Sequence, residues 1–404
     1  MSPALALRAD RIVTEAGIAH GSWLVLSDGR IERVSRTQPI GTAISLDLGD
    51  VTLIPGLIDI HIHGREGADV MDADPVSLRT IARSLARHGV TGFLATTVTA
   101  DWNRTLAALG VVADMMHEVP SGARLLGAYS EGLFFSCTHR GAHNPDWFLK
   151  PDRDRIDALI AASRGALKVL ALAPEIDGAM DSLRHAVARG LRVALGHTDA
   201  SYDQTRAALA AGASSGVHLF NGMRGLHHRE PGCAGALLME DCFVEVIADG
   251  AHLHPAILQL IARLKSADQV MLISDCMCAG GMPNGTYRLG EMDVAVRDGV
   301  ARTAAGGLAG STLTIDRALA RIIDATGIAL EEAVHMASLT PARFLEIAQD
   351  TGSIAPGKRA DLTVLDTAGD VRATLVGGQC AWLAPDFAAG EPLAQFAAPR
   401  PSIA

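Results

Sequence analysis

The sequence predicts an α/β fold: a (β/α)8 TIM-like barrel beside a small β-sandwich that both ends of the chain form together. Eight apolar runs read as buried strands, helical patterns lie between most of them, and further strand patterns occupy both chain ends. A chain of 404 residues suits one such barrel or two to three ordinary domains. The strand candidates are residues 51–64, 89–98, 124–131, 166–174, 191–197, 214–220, 243–249 and 269–275.

The first predicted element is a β unit over residues 1–54, the N-terminal part of the β-sandwich. Within it, residues 22–34 contain two strand-like runs joined at Asp28 and Gly29. An Asp-Gly pair tolerates positive φ, so this segment is predicted to be a hairpin.

The barrel is predicted to span residues 55–351 and to end before strand patterns return at residues 352–404, the C-terminal part of the sandwich. A long insertion over about 276–310 contains a hairpin around Asp298 and Gly299. Helices follow it to about residue 349, the first of them opened by Ser311. Earlier helices are predicted at residues 75–88, 101–117, 152–164, 178–189, 201–212 and 254–264, with a capping box at Ser201 and Gln204.

The composition narrows the class of protein. A content of 49% hydrophobic and 20% charged residues is typical of a globular, enzyme-sized chain. The net charge of −10 and the pI of about 5.8 argue against nucleic-acid and anionic-membrane partners. The N-terminus lacks the apolar core of a signal peptide, and no apolar run is long enough to span a membrane. Six cysteines without disulfide-framework spacing favour a reducing, cytoplasmic setting.

Polar side chains stand where the predicted strands end. His61 and His63 close the first strand on one face, because strand side chains alternate. A bare His-x-His pair fits hydrogen-bonded core histidines as well as a metal site. Repetition at the other strand ends favours the metal site, since these ends meet at one rim of a barrel and imidazoles and carboxylates bind zinc-like ions. The other strand-end residues are Glu131, Glu175, His197, His218, Asp249, His252 and Asp275.

Short motifs surround these strand ends. They are Pro-Gly-Leu-Ile-Asp-Ile-His-Ile-His-Gly (55–64), Glu131-Gly132, Gly141-Ala142-His143-Asn144-Pro145, Gly196-His197-Thr198, His218-Leu219-Phe220-Asn221-Gly222-Met223, Arg229-Glu230-Pro231-Gly232, Asp249-Gly250-Ala251-His252, Ser274-Asp275 and Leu308-Ala309-Gly310-Ser311. As an ordered set over nearly the whole chain, they resemble the N-acetylglucosamine-6-phosphate deacetylase family of the amidohydrolase superfamily. A C-terminal run from Leu339 to Leu362 is typical of amidohydrolases generally.

The resemblance implies that Glu131, His197 and His218 bind a catalytic divalent metal. Because His61 and His63 are both present, a second metal is chemically feasible, with Glu131 placed to bridge; the expectation is therefore one or two ions per chain. Zinc is the favoured ion, with iron, manganese or cobalt as alternatives.

Amide hydrolysis needs an activated water and a proton for a poor amine leaving group. Asp275, at the end of the last strand, is the predicted general base and then general acid; the other interpretation is a metal ligand or a partner of one. The resemblance implies that His143 and the metal together polarise the acetyl carbonyl.

The resemblance implies that the remaining site residues hold the sugar phosphate. Arg229 lies in a His-His-Arg run that supplies positive charge to an acidic protein, although a basic loop is more often a solvated face. By resemblance, contacts from a neighbouring subunit imply a homodimer. The expected substrate-binding residues are Ala142, His143, Asn221, Gly222, Arg229, His252, Leu308, Ala309 and Gly310.

The sequence therefore predicts hydrolytic deacetylation of an N-acetylhexosamine 6-phosphate, with the glucosamine form preferred over the galactosamine form. The choice between these epimers stays open, as do a deaminase or a cyclic amidase on the same scaffold. Leu133 stands where the family usually has Pro, and Cys276-Met277-Cys278 replaces an Ala-rich stretch. Both departures leave the details of substrate binding open.

Overall fold

The computed structural model describes residues 5–40, 44–118, 122–387 and 393–396. Eight parallel strands form one sheet in sequence order, each hydrogen-bonded to the next along the chain. The strands are Leu57–Ile62, Val90–Thr96, Arg124–Ser130, Leu167–Leu172, Arg192–Leu195, Ser215–Gly216, Phe243–Val246 and Val270–Leu272. Near-continuous burial along them agrees with a parallel sheet covered on both faces.

The barrel closes where the chain leaves its last strand. The amide of Asp275 donates to the carbonyl of His61 at 2.9 Å, and the amide of His63 donates to the carbonyl of Cys276 at 2.8 Å. These contacts join the carboxyl ends of the first and last strands at the rim where the polar strand-end residues lie.

Helices cover the outside of the barrel. Asp74 and Ser201 cap two of them as predicted, and Ser201 forms the capping box with Gln204. The helix predicted to open at Ser311 instead begins at Ile315. The helices are Pro75–Ala86, Trp102–Met115, Arg153–Ser163, Ala179–Ala188, Tyr202–Ala210, Gly232–Met239, Pro255–Leu264, Ile315–Thr326, Leu330–Ala337 and Leu339–Phe344.

Strands from both chain ends form a second eight-stranded sheet with its own apolar core. The two ends join where Leu362–Leu365 pairs antiparallel with Thr52–Pro55. The remaining strands are Leu5–Thr14, Gly17–Ser27, Arg30–Ser35, Ile44–Asp47, Val371–Val376 and Gln379–Leu383. The fold class is thereby confirmed, and the turn at Asp28 and Gly29 joins the predicted hairpin strands. The domain bounds given above stay a prediction, and part of the last segment lies outside the described residues.

The insertion after the last barrel strand forms a three-stranded antiparallel flap, Gly285–Leu289, Met292–Arg297 and Val300–Thr303. The predicted hairpin at Asp298 and Gly299 is its second turn. Apolar side chains beneath the flap pack with Val98, Ala142 and Ala309. The flap therefore covers one side of the barrel mouth.

Among the described residues, the helices are too short or too polar to cross a membrane.

Candidate active site

A cavity of about 330 Å³ opens at the carboxyl ends of the barrel strands. Its described lining brings together strand-end residues that lie more than 200 positions apart in the sequence. The residues lining it are His63, Val98, Glu131, Gly141, Ala142, His143, His197, His218, Phe220, Asn221, Gly222, His252, Asp275, Leu289, Gly307, Leu308 and Gly310. We call the buried group His61, His63, Glu131, His197, His218 and Asp275 the floor of this cavity.

One half of the floor consists of Glu131, His197 and His218. The Nε2 atoms of the two histidines lie 3.2 Å apart. Both are within 3.3 Å of the same carboxylate oxygen, Oε1 of Glu131. All three side chains are at most 6% exposed. Three potential ligand atoms thus converge on one point.

The opposite ring nitrogens decide what these atoms can bind. Nδ1 of His197 lies 3.0 Å from the carbonyl oxygen of His139, and Nδ1 of His218 lies 3.1 Å from that of Asn221. A carbonyl oxygen only accepts, so each Nδ1 carries a proton, and in a neutral ring Nε2 carries a lone pair. Two lone pairs and a carboxylate directed at one another fit a shared divalent cation.

The other half of the floor consists of His61, His63 and Asp275. Oε2 of Glu131 lies 3.3 Å from Nε2 of His61 and 3.2 Å from Nε2 of His63. The same two nitrogens lie 3.6 and 3.2 Å from Oδ1 of Asp275. Glu131 therefore directs one oxygen to each half, as a bridging ligand requires. This donor set also fits a divalent cation.

Sequence reasoning missed the partner that holds His61. Oε2 of Glu245, in the seventh barrel strand, accepts from Nδ1 of His61 at 2.8 Å. Oε1 of the same carboxylate accepts from the hydroxyl of Tyr129 at 3.0 Å. Both His61 and Glu245 are fully buried. A glutamate within an otherwise apolar strand is the signal that could have revealed it, since an unpaired buried charge is strongly disfavoured.

The charges of the floor explain the state of Asp275. Burial alone would raise the pKa of this carboxyl, but the hydrogen bond from His63 and the nearby histidine charges outweigh it and lower the pKa to about 2. Opposite charges and hydrogen bonds to the ionised form act in this direction. Asp275 is therefore an ionised carboxylate at neutral pH, the form that accepts a proton.

Three floor residues have strained backbones. His197, His218 and Asp275 have φ values of 47°, 27° and 49°, in the left-handed region. Such conformations typically cost on the order of 1–3 kcal/mol each and occur mainly at functional sites. Here they end the strands early and turn the side chains into the cavity. Gly222 is in close contact with His197, since a Cβ at position 222 would lie 2.7 Å from Nδ1 of that histidine.

His143 stands at the edge of the floor. Its Nε2 atom lies 3.8 Å from Oε2 of Glu131. Its Nδ1 atom lies 2.6 Å from the hydroxyl oxygen of Thr99. Burial, followed by the neighbouring His197, lowers the pKa of His143 well below its usual range. His143 is thus a neutral imidazole in contact with the cavity.

The predicted substrate-binding residues differ in placement. We call Ala142, Asn221, Gly222, His252, Leu308 and Gly310 the outer wall, because all six line the cavity above the floor. Ala309 is instead fully buried under the flap. Arg229 is exposed, lies outside the described lining and contacts His228. Val98, Phe220 and Leu289 line the cavity although sequence reasoning did not select them.

Known proteins are similar to this chain in both sequence and fold. The amidohydrolase family profile matches residues 52–391. The chain is 47% identical to N-acetylglucosamine-6-phosphate deacetylase of Vibrio furnissii, covering 87% of this chain and 88% of that protein. It is 44% identical to N-acetylgalactosamine-6-phosphate deacetylase of Escherichia coli O157:H7, covering 93% and 98%.

Solved structures extend the likeness to the whole fold. A variant of N-acetyl-D-glucosamine-6-phosphate deacetylase from Mycobacterium smegmatis, in complex with N-acetyl-D-glucosamine-6-phosphate, matches with a TM-score of 0.89 and 35% identity. The match covers 94% of this chain and all of the other. The sequence resemblance is therefore confirmed: the chain belongs to the N-acetylglucosamine-6-phosphate deacetylase family of the amidohydrolases.

Proposed function

We propose that this protein hydrolyses the acetamide of an N-acetylhexosamine 6-phosphate and releases acetate and the amino sugar 6-phosphate. The observation that carries the proposal is the convergence of Glu131, His197 and His218 beside an ionised Asp275 at the bottom of one cavity. The activities of the relatives support the substrate class. N-Acetylglucosamine 6-phosphate is the first candidate, and the galactosamine epimer is the second because of the relative from Escherichia coli.

Asp275 transfers the proton in this proposal. Its carboxylate takes a proton from the attacking water as the water oxygen bonds to the acetyl carbon. The C–N bond then breaks, and Asp275 returns the proton to the leaving nitrogen. Hydrogen bonding to His63 fixes the carboxylate on one side, so its other lone pairs face the cavity. His143 is placed against the acetamido group.

Glu131, His197 and His218 would hold a divalent metal, and His61 and His63 with Asp275 a second one. Zinc is the proposed ion, as expected for imidazole and carboxylate ligands. When bound, a divalent metal acts as a Lewis acid on the carbonyl and lowers the pKa of water. The protein keeps the ligands in place through carbonyl and carboxylate partners on every Nδ1 atom of the four histidines.

We propose that the outer wall binds the sugar and its phosphate. Nδ1 of His252 lies 2.7 Å from Asp249, which leaves Nε2 free for an anion in the cavity. By the family resemblance, we propose a homodimer in which the guanidinium of Arg229, which lies outside the described lining of its own cavity, reaches the partner's substrate. A cytoplasmic setting is supported by six unpaired cysteines.

Steady-state kinetics on both N-acetylated sugar 6-phosphates test the proposal. We expect acetate release from at least one of them, with kcat/KM setting the epimer preference. A panel of cyclic amides and aminopurines is the control for the other reaction classes on this scaffold. Release of ammonia or ring opening without any acetate release would contradict the proposal.

A further inference from the structure

Asp199 lies two residues after His197, outside the described lining of the cavity. Its carboxylate binds the guanidinium of Arg224 through both oxygens: Nε lies 2.9 Å from Oδ1, and Nη2 lies 2.9 Å from Oδ2. Nε2 of His139 lies 3.1 Å from Oδ1 of the same carboxylate. Asp199 therefore joins two loops that are far apart in the sequence.

Glu175, which follows the fourth barrel strand, fixes the backbone of Asp199 from behind. Its Oε1 atom accepts from the amide of Asp199 at 2.6 Å, and its Oε2 atom accepts from the hydroxyl of Thr198 at 2.5 Å. The carbonyl of Thr198 accepts in turn from the amide of Arg224 at 3.0 Å. Glu175, a strand-end residue without a part in the proposed chemistry, thus supports the segment that carries Asp199.

Each of the two joined loops supplies the carbonyl oxygen behind one proposed metal ligand. The carbonyl oxygen of His139 lies 3.0 Å from Nδ1 of His197. The carbonyl oxygen of Asn221, three residues before Arg224, lies 3.1 Å from Nδ1 of His218. The orientation of both imidazoles therefore depends on loops that a single carboxylate holds together.

We propose that Asp199 is a positioning residue that holds these two carbonyls against His197 and His218 and so strengthens the binding of a divalent cation between them. The inference rests on the metal ligands of the proposed function and deepens it. Loss of the partner behind an imidazole ligand typically weakens metal binding 10–100-fold. Asp199 acts one contact farther out and is 33% exposed, so the lower end of this range is expected.

The experiment removes the carboxylate and measures zinc affinity. Asp199→Ala frees both loops at once. Glu118→Ala is the matched control, because Glu118 binds Nε and Nη2 of Arg79 in the same two-oxygen geometry but lies outside the described lining of the cavity. The zinc-loaded proteins are titrated with a competing chelator. Both variants are placed in a His63→Asn background, which weakens the other half of the floor and leaves one site to measure.

We expect Asp199→Ala to weaken zinc binding about tenfold and Glu118→Ala to leave it unchanged. With His63 intact, excess zinc should return the kcat of Asp199→Ala to the native value, because the carboxylate supports the ligands and does not line the cavity. A native zinc affinity in Asp199→Ala, with or without a lower Tm, would overturn the inference. An equal loss of affinity in Glu118→Ala, or a loss of kcat that excess zinc does not restore, would overturn it too.

Two further variants decide the question if Asp199→Ala does not fold. His139→Ala removes the imidazole but keeps the backbone carbonyl, and Arg224→Ala removes the guanidinium. Each should weaken zinc binding by less than the tenfold expected for Asp199→Ala, and native affinity in both would overturn the inference. Failure of the proposed function looks different: the zinc affinities would follow the expected order, but the native chain would release no acetate from either sugar phosphate.

Discussion

The floor of the cavity and the exposed loop that carries Arg229 are built differently. In the floor, each of the four imidazoles has its Nδ1 atom bonded to a carbonyl or carboxylate, and the side chains are at most 9% exposed. Beyond the outer wall, Arg229 is exposed; among the described residues, its backbone amide donates to His227 and its guanidinium contacts His228. The difference indicates that the floor side chains are held in place by their own partners, whereas the guanidinium of Arg229 has no carboxylate partner among the described residues.

The largest effect is expected from breaking the floor at His197. His197→Asn removes one of three converging ligand atoms, so bound metal should fall well below one equivalent per chain and activity should fall to background. Elemental analysis measures the metal. His254→Asn is the matched control, since His254 caps a helix outside the cavity and Asn caps equally well. A fully metallated, active His197→Asn protein would contradict the ligand assignment.

Asp275→Asn separates the chemistry of the floor from its assembly. The amide keeps the shape of the carboxylate but cannot accept a proton, so kcat should fall by on the order of 10²–10⁴-fold. Elemental analysis and thermal unfolding of the same sample should show that the metal held by Glu131, His197 and His218, a site without Asp275, is retained and that the fold is intact. A loss of only a few-fold would exclude Asp275 as the base.

Glu245→Gln tests the support behind the floor. Removing this charge from Nδ1 of His61 should weaken metal binding at His61 and His63 by about 10–100-fold, the usual range for such outer partners. Competition with a chelator measures the affinity of each equivalent. Tyr129→Phe, which removes only the second hydrogen bond of the same carboxylate, should have the smaller effect. If instead only the metal at Glu131, His197 and His218 is bound more weakly, the division of the floor into these two metal sites is wrong.

Arg229→Ala tests the phosphate contact beyond the outer wall. A charge-assisted hydrogen bond is worth roughly 1.5–3 kcal/mol, so kcat/KM on the 6-phosphorylated sugar should fall by about one to two decades. The same N-acetyl sugar without phosphate, a poor substrate, should change little. Equal losses on the two sugars would mean that Arg229 supports the fold. Mixing Arg229→Ala with Asp275→Asn should restore some activity only if the contact crosses between subunits.

The smallest effect concerns how the thermal stability depends on pH once a chelator has removed the metal; we call this metal-free form the chelated protein. Burial alone would lower the pKa of His63, but hydrogen bonds to Asp275 and Glu131 raise it to about 9. Because the pKa of His63 is higher in the folded state, its protonation stabilises the fold. This contribution is fully present below the unfolded-state pKa of about 6.5 and is lost as the pH rises through 9. The Tm of chelated protein should therefore decline between pH 6.5 and 9. His63→Asn should flatten this decline, and an unchanged slope would contradict the ion pair.

Local sequence patterns were sufficient for much of the fold. Eight apolar runs specified eight parallel strands, because burial on both faces selects continuous Val, Ile and Leu. The strand ends also specified the floor, since the (β/α)8 arrangement brings all carboxyl ends to one rim. His197, His218 and Asp275 were found in this way. The sixth strand was predicted too long, at 214–220 instead of Ser215–Gly216, because positive φ at His218 and Phe220 leaves no trace in local hydropathy.

By itself, the sequence determined the barrel, the chain-end sheet and the types of residue that face the cavity. Only the tertiary structure decided which atoms of those residues are available for chemistry. The proton on a histidine depends on the partner behind it, and Glu245, Thr99 and the carbonyl of His139 come from other strands and loops. The placement of Arg229 could not be predicted either, because the sequence of a basic loop does not show whether the loop faces its own cavity or solvent. Hydrogen bonding and exposure depend on long-range contacts, which a local pattern does not contain.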